Sequence, residues 1–278
     1  RIPGHEVVGI IEKTGSAVAN WKVGQRVGIG WHGGHCFQCS ACRRGDFWAC
    51  ESSLTTGLSA DGGYAEHMVA RAEVLTAVPN ELSSVDAAPI ICAGRTTFGA
   101  LKGCGARGGD LVAIHGLGGL GHLAVQYGVR MGYRTVVLSR GKDKESLARK
   151  LGAQDYIDTT TANAAKELQI RGGAQAILCT APSGKGISEL LGGLRGGGQA
   201  LVITAPPDPI VIPPFVLLGG GRGIRGWVGG SVDEALAFST FAKVKPMVET
   251  FPLDRAVEAF DKMMSAKVHF RAVLTMGS

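Results

Sequence analysis

With 278 residues, a net charge of +6, 45% hydrophobic and only 19% charged residues, this chain is too apolar and too sparsely charged to be disordered. No apolar run reaches the length of a membrane-spanning helix, and the basic residues are scattered, which argues against nucleic acid as a partner and suits a small anionic cofactor. The length can bury one large core or two modest ones, and two domains are favoured.

The chain opens RIPGHEVVGI, which sets His5 and Glu6 at the edge of an apolar strand. Up to residue 93 the runs VVGIIEKTG, GQRVGIG and GYAEHMVA are short and punctuated by glycine, a pattern that predicts a small β-rich domain. Inside it Cys36, Cys39, Cys42 and Cys50 are packed too densely for a disulfide framework. Two x-x spacings and a longer return let four thiolates close around one tetrahedral zinc ion, leaving no position for substrate, so the site would be structural. Arg43 and Arg44 would offset its negative charge. An iron–sulfur cluster is the alternative, since three cysteines at this spacing also occur in ferredoxins. The single set of four and the lack of a proline after Cys50 favour zinc. A zinc ribbon for nucleic acid would leave residues 111–140 without a role.

From 94 to 230 short apolar strands (LVAIH, TVVLS, AQAILCT, QALVIT) alternate with helical stretches (GHLAVQYGVRMG, KESLARKLGA, GISELLGGL). That alternation predicts a doubly wound parallel sheet. Gly116, Gly118, Gly119 and Gly121 lie in the turn between LVAIH and the helix that follows, with Gly116, Gly118 and Gly121 spaced G-x-G-x-x-G. In that context the turn binds a dinucleotide, its pyrophosphate meeting the helix N-terminus. At the end of the next strand, where an NAD site has a carboxylate for the ribose diol, the chain has Ser139, followed by Arg140 and Lys144. A hydroxyl and two cations suit a 2′-phosphate, so NADP is favoured over NAD. His115 and His122 flank the turn and read as structural; Cys104 and Cys179 read as ordinary thiols, and His32 has no assignment. From 231 to 278, two helical stretches, VDEALAFSTFA and DRAVEAFDKMMSA, lead into a last strand, FRAVLTM.

Taken together, the Gly-His-Glu triplet at 4–6, the four-cysteine lobe, DGGYAEH at 61–67, CAGRTTFGAL at 92–101 and GLGGLG at 116–121 resemble the zinc-dependent medium-chain alcohol dehydrogenases, the cinnamyl-alcohol type and its microbial relatives above all. The resemblance implies a Rossmann nucleotide domain (94–230) inserted into a GroES-like β-barrel catalytic domain (1–93, completed by 231–278). It implies a catalytic zinc held by His5 and Cys92, with Glu6 beside the metal and able to bind it. It further implies that Thr96 contacts the nicotinamide and that Arg271 reaches the cofactor pyrophosphate. The activity implied is hydride transfer between a primary or secondary alcohol, or the corresponding aldehyde, and the nicotinamide, in a cytoplasmic homodimer or homotetramer.

In that family a first catalytic cysteine and a hydroxyl residue that relays the substrate proton lie upstream of Gly-His-Glu, so the chain is expected to be cut short at its start and to be weak in zinc and turnover as it stands. The competing readings are a non-catalytic zinc-stabilised nucleotide-binding protein, such as a sensor, and a zinc-free quinone-reductase-like enzyme. His5, Glu6 and Cys92 have no use in the second.

Overall fold

A computed structural model describes residues 1–277, which divide into two compact units. One unit joins residues 1–95 to those from Ser231 onward; the other is Thr96–Gly230.

Unit one begins with an antiparallel sheet of three short strands, β1 (Val7–Ile10), β2 (Arg26–Ile29) and β5 (Thr76–Ala77), in the order β1-β2-β5. Val7 faces Ile29, and Ile10 faces Arg26. Glycines 28 and 30 are dictated by packing: a Cβ on Gly28 would stand 2.5 Å from the Ile91 side chain. Between β2 and β5, a hairpin of β3 (His32–Gly34) and β4 (Leu54–Thr55) brackets the cysteine lobe. The helix Ser84–Pro89, capped by the Ser83 hydroxyl accepting from the Asp86 N–H, runs into one π-helical turn, Ile90–Gly94. Such turns cluster at functional sites, and this one carries Cys92.

In unit two six strands form a parallel sheet: β6 (Leu111–His115), β7 (Arg134–Ser139), β8 (Asp155–Asp158), β9 (Ala174–Cys179), β10 (Leu194–Val202) and β11 (Gly223–Gly226), in the order β11-β10-β9-β6-β7-β8. The chain winds outward from β6 in one direction, then returns to build outward from β9 in the other. This is the doubly wound arrangement expected, with its switch point between β6 and β9. The strands read as continuous apolar runs because helices cover both faces: all six residues of β9 are buried. Leu111, Val136, Leu138, Ile177, Ile187 and Leu194 belong to one contiguous core. Burying each such side chain is worth about 1.5–3 kcal/mol.

Unit one is completed by the helices Val232–Ala242 and Ala256–Met264 and by β12 (Val248–Pro252), which pairs in parallel with β13 (Arg271–Thr275).

The expected strands and helices of 111–202 are present, and β8, the helix Ala164–Ile170, the helix Pro214–Leu218 and β11 add to them. GYAEHMVA, read as β-like, forms no strand among the described residues. Gly63 there packs against Val7, Tyr64 donates its N–H to the Pro3 carbonyl, and Val69 is 97% exposed. An alternating pattern makes a strand only when a ladder partner lies beside it.

Candidate active site

The four cysteines converge. Their sulfurs lie within 4.8 Å of one another, with Cys36 Sγ at 3.9 Å from Cys42 Sγ and 3.7 Å from Cys50 Sγ. Sulfurs at the corners of a tetrahedron about 2.3 Å from a central zinc stand about 3.8 Å apart, so the cage has the size of that ion. The local fold supports thiolates at Cys36 and Cys39, whereas burial pushes the Cys42 thiol up to about 12. Backbone N–H groups of Cys39, Cys36 and Ser52 point at sulfur, at 3.3, 3.4 and 3.3 Å. The Cys39 thiol is held down at about 6, first by the backbone N–H of Cys42 and then by that of Glu51. The turn needs Phe37 in the left-handed region, φ 60°, and its ring lies 4.2 Å from that of His35. His35 packs between Phe37 and Phe47, and its Nδ1 meets His32 Nε2 at 2.9 Å. This gives His32 a place: it joins the lobe to the Trp48 ring, 5.4 Å away.

A second cluster joins both ends of unit one's first segment. His5, Glu6 and Cys92 offer ligand atoms within 4.8 Å of one another, and Cys92 Sγ lies 3.3 Å from His5 Nε2. The strand edge places His5 and Glu6; the π-turn aims Cys92 at them. Burial holds His5 in the neutral form that a metal requires, and the Trp31 ring braces its edge at 4.8 Å. Burial, then the Glu6 charge, pushes the Cys92 thiol up to about 12. The donor set of imidazole, thiol and carboxylate suits zinc, whose charge suffices to hold such a thiol as thiolate. Arg271, on β13, forms an ion pair with Glu6, its partner in this structure.

Three side chains here escaped sequence reasoning: Trp31, His35 and Arg95. Arg95 is 5% exposed, its guanidinium lies 4.6 Å from the centre of the Trp48 ring, and its Nε has no hydrogen-bond partner. One signal was available, an arginine immediately after the small residues Ala93 and Gly94 in an otherwise apolar run.

In unit two β6 leads through the glycine turn into the helix Gly121–Arg130. Gly116 has φ +97°, and a Cβ there would meet Ala181 at 2.9 Å. A Cβ on Gly121 would lie 2.1 Å from the Gly116 carbonyl oxygen, whereas around Gly118 the space is open. The Thr180 hydroxyl fixes the turn by donating to the His115 and Gly116 carbonyls at 2.9 and 3.0 Å. Ser139 ends β7, and Arg140 beside it is exposed. Lys144 reaches back to donate to the Leu117 carbonyl at 3.0 Å. Two groups on β8 clamp the loop between them: the Tyr156 hydroxyl donates to the Gly141 carbonyl at 2.6 Å, and Asp158 accepts from the Gly141 N–H at 2.8 Å. Thr96 is half-buried in the helix Arg95–Lys102.

Residues 1–80 match the family model described as the alcohol dehydrogenase GroES-like domain, and residues 119–248 match that of the zinc-binding dehydrogenases. The alcohol dehydrogenase notN of Aspergillus sp. (strain MF297-2) is 43% identical over 278 residues, an alignment covering 99% of this chain and 82% of that protein. Among solved structures, a cinnamyl alcohol dehydrogenase from Sorghum bicolor is similar with a TM-score of 0.88 at 29% identity, covering 98% of this chain and 81% of the other. The CAD from Helicobacter pylori, complexed with NADP(H), gives 0.85 at 26% identity with the same coverage.

Proposed function

This chain belongs to the zinc-dependent medium-chain alcohol dehydrogenases, and from that premise we propose which of its residues carry the reaction. The family's activity is oxidoreduction between an alcohol and a nicotinamide nucleotide, with zinc as the metal and a small molecule as substrate. The observation that carries the assignment is the meeting of His5 Nε2 and Cys92 Sγ at 3.3 Å, with the Glu6 carboxylate beside them. His5 and Cys92 would hold the catalytic zinc, and Cys36, Cys39, Cys42 and Cys50 a structural one. When bound, zinc supplies a Lewis acid for the substrate oxygen and the nicotinamide supplies the hydride carrier.

The remaining work falls to the protein. Arg271 pairs with Glu6 and so holds that carboxylate beside the metal ligands, ready either to approach the metal or to stay on the guanidinium. The Gly116–Gly121 turn offers backbone N–H groups to the cofactor pyrophosphate, and Gly118 leaves room for it to come close. Thr96 contacts the nicotinamide in this reading.

We assign NADP as the preferred nucleotide over NAD. Ser139 stands where an NAD site has a carboxylate at the end of this strand, and Arg140 and Lys144 supply cations for a 2′-phosphate. The NADP(H) complex of the Helicobacter pylori relative supports this reading. We place the protein in the cytoplasm, supported by its seven free cysteines. No helix among the described residues is long and apolar enough to cross a membrane. We further assign it to homodimers or homotetramers, supported by exposed Phe215, Leu218 and Val228 flanking the edge strand β11.

The test is metal content together with turnover. In protein loaded with zinc, His5→Gln should release one of two zinc ions while the cysteine lobe keeps the other, and should remove whatever alcohol oxidation the parent chain shows. An unchanged zinc content would overturn the assignment.

A further inference from the structure

Arg95 is a buried cation with no carboxylate bound to it in the site described above. Its side chain is nine-tenths buried, its Nε finds no acceptor, and among the described residues the Cys92 sulfur is the one group that offsets its charge. Glu6, the acid of this cluster, is engaged by Arg271. Stacking on Trp48 recovers part of the cost of burying a cation. Stacking uses the face of the guanidinium, however, and its in-plane Nε–H has no acceptor, an edge of the fork that matches a carboxylate. Arg95 also follows directly on the π-helical turn that carries Cys92. Its charge acts on His5, on His32 and on the Cys92 sulfur.

We propose that Arg95 anchors a carboxylate carried by the substrate, so that the preferred substrates are alcohols and aldehydes bearing an acid group. A carboxylate fits better than a phosphate, because one guanidinium set against Trp48 balances a single negative charge and no second unpaired cation accompanies it in the cluster. The acid group takes no part in the redox step. Hydride passes from the reduced nicotinamide to the carbonyl carbon, a proton goes to the carbonyl oxygen, and the oxidised nicotinamide and a hydroxy acid result. This proposal rests on His5, Glu6 and Cys92 being the catalytic metal centre.

Two acid and neutral pairs of different length test it in the zinc-loaded protein: glyoxylate against acetaldehyde, and succinic semialdehyde against butanal. At one length or the other the acid should be favoured in kcat/KM by about 10- to 100-fold, the range of a charge-assisted hydrogen bond made in a buried site. Arg95→Gln should erase most of that ratio, and Arg95→Lys, which keeps the charge and loses the fork, should retain part of it. Independently of turnover, butyrate should change the tryptophan fluorescence of the wild-type protein at concentrations where butyramide does not, since Trp48 lies under the guanidinium. Turnover of neutral aldehydes as good as that of acids, with butyrate and butyramide binding alike, would overturn the proposal and leave Arg95 as a partner of the Cys92 sulfur. With no turnover on any aldehyde, the fluorescence comparison alone would decide the fate of the carboxylate anchor, butyrate and butyramide acting alike overturning it, while zinc content in His5→Gln separately tests the metal-centre reading.

Discussion

Two glycines three residues apart, Gly118 and Gly121, should respond in opposite ways to the same methyl group. Gly121→Ala places a Cβ 2.1 Å from the Gly116 carbonyl oxygen, where ordinary contact begins at 3.4 Å. The helix Gly121–Arg130 must therefore retreat from the turn by roughly 1.3 Å, the difference of those distances, and neither atom is the end of a flexible side chain. Overpacking against backbone costs about 3 kcal/mol, which in a unit of this size lowers Tm by roughly 10 °C. Gly118→Ala meets nothing within 4 Å and has no left-handed backbone to strain. Its effect on the unfolded chain should leave the melt unchanged or raise stability by about 0.4–1 kcal/mol. Its methyl would nonetheless occupy the space assigned to the pyrophosphate, and NADPH affinity should fall at least about tenfold, or about 1.4 kcal/mol. Thermal melts followed by circular dichroism and titration of NADPH fluorescence separate the two. A Gly121→Ala protein that melts like the parent, or a Gly118→Ala protein that binds NADPH like the parent, would refute the reasoning.

Cys39→Ser should lose the lobe's zinc and loosen residues 36–50, measured as zinc released per chain and as faster proteolysis of that loop. Ser139→Asp should reverse nucleotide preference from NADPH to NADH, because a carboxylate there repels a 2′-phosphate and accepts from a diol; equal affinities of the parent for both nucleotides would refute the premise. Stability should also fall with acid through His115. Burial holds its folded pKa down at about 4 against 6.5 for the free side chain. The unfolded chain therefore takes up a proton first, so stability is full above about pH 6.5 and declines towards about pH 4, by at most about 3 kcal/mol. Urea melts across that window should show the slope, and His115→Gln should flatten it.

The nucleotide unit was legible because each of its signals is local. LVAIH, TVVLS and AQAILCT are buried on both faces, so they read as continuous apolar strands, and the glycine spacing marks the turn after the first. The four cysteines were legible for the same reason, all falling within fifteen residues. The strand β11 was not, since Gly223–Gly226 has little apolar character and is a strand only because β10 lies beside it. His35 and Arg95 stayed hidden because their roles depend on how the backbone turns and on a ring brought up from elsewhere, neither of which leaves a pattern in the sequence. His35 is boxed by rings brought in by a left-handed Phe37, and nothing in RTTFGALK says that its arginine will be buried over Trp48. Cys92 was picked out by resemblance alone; its π-turn leaves no periodic trace.

The ion pair between Glu6 and Arg271 joins residues 265 apart in the chain. A ribosome adding about 5–20 residues per second needs roughly 13–53 s to travel from one to the other. Through that interval Glu6 is outside the tunnel without its cation, and the whole continuous span Thr96–Gly230 is made and free to fold before β12 and β13 exist. The cysteine cage, closed by partners only 14 residues apart, can form almost as soon as it emerges. The order of manufacture is thus lobe first, nucleotide unit second and the surroundings of Glu6 last, so a nascent chain can carry its structural metal well before it is competent for chemistry.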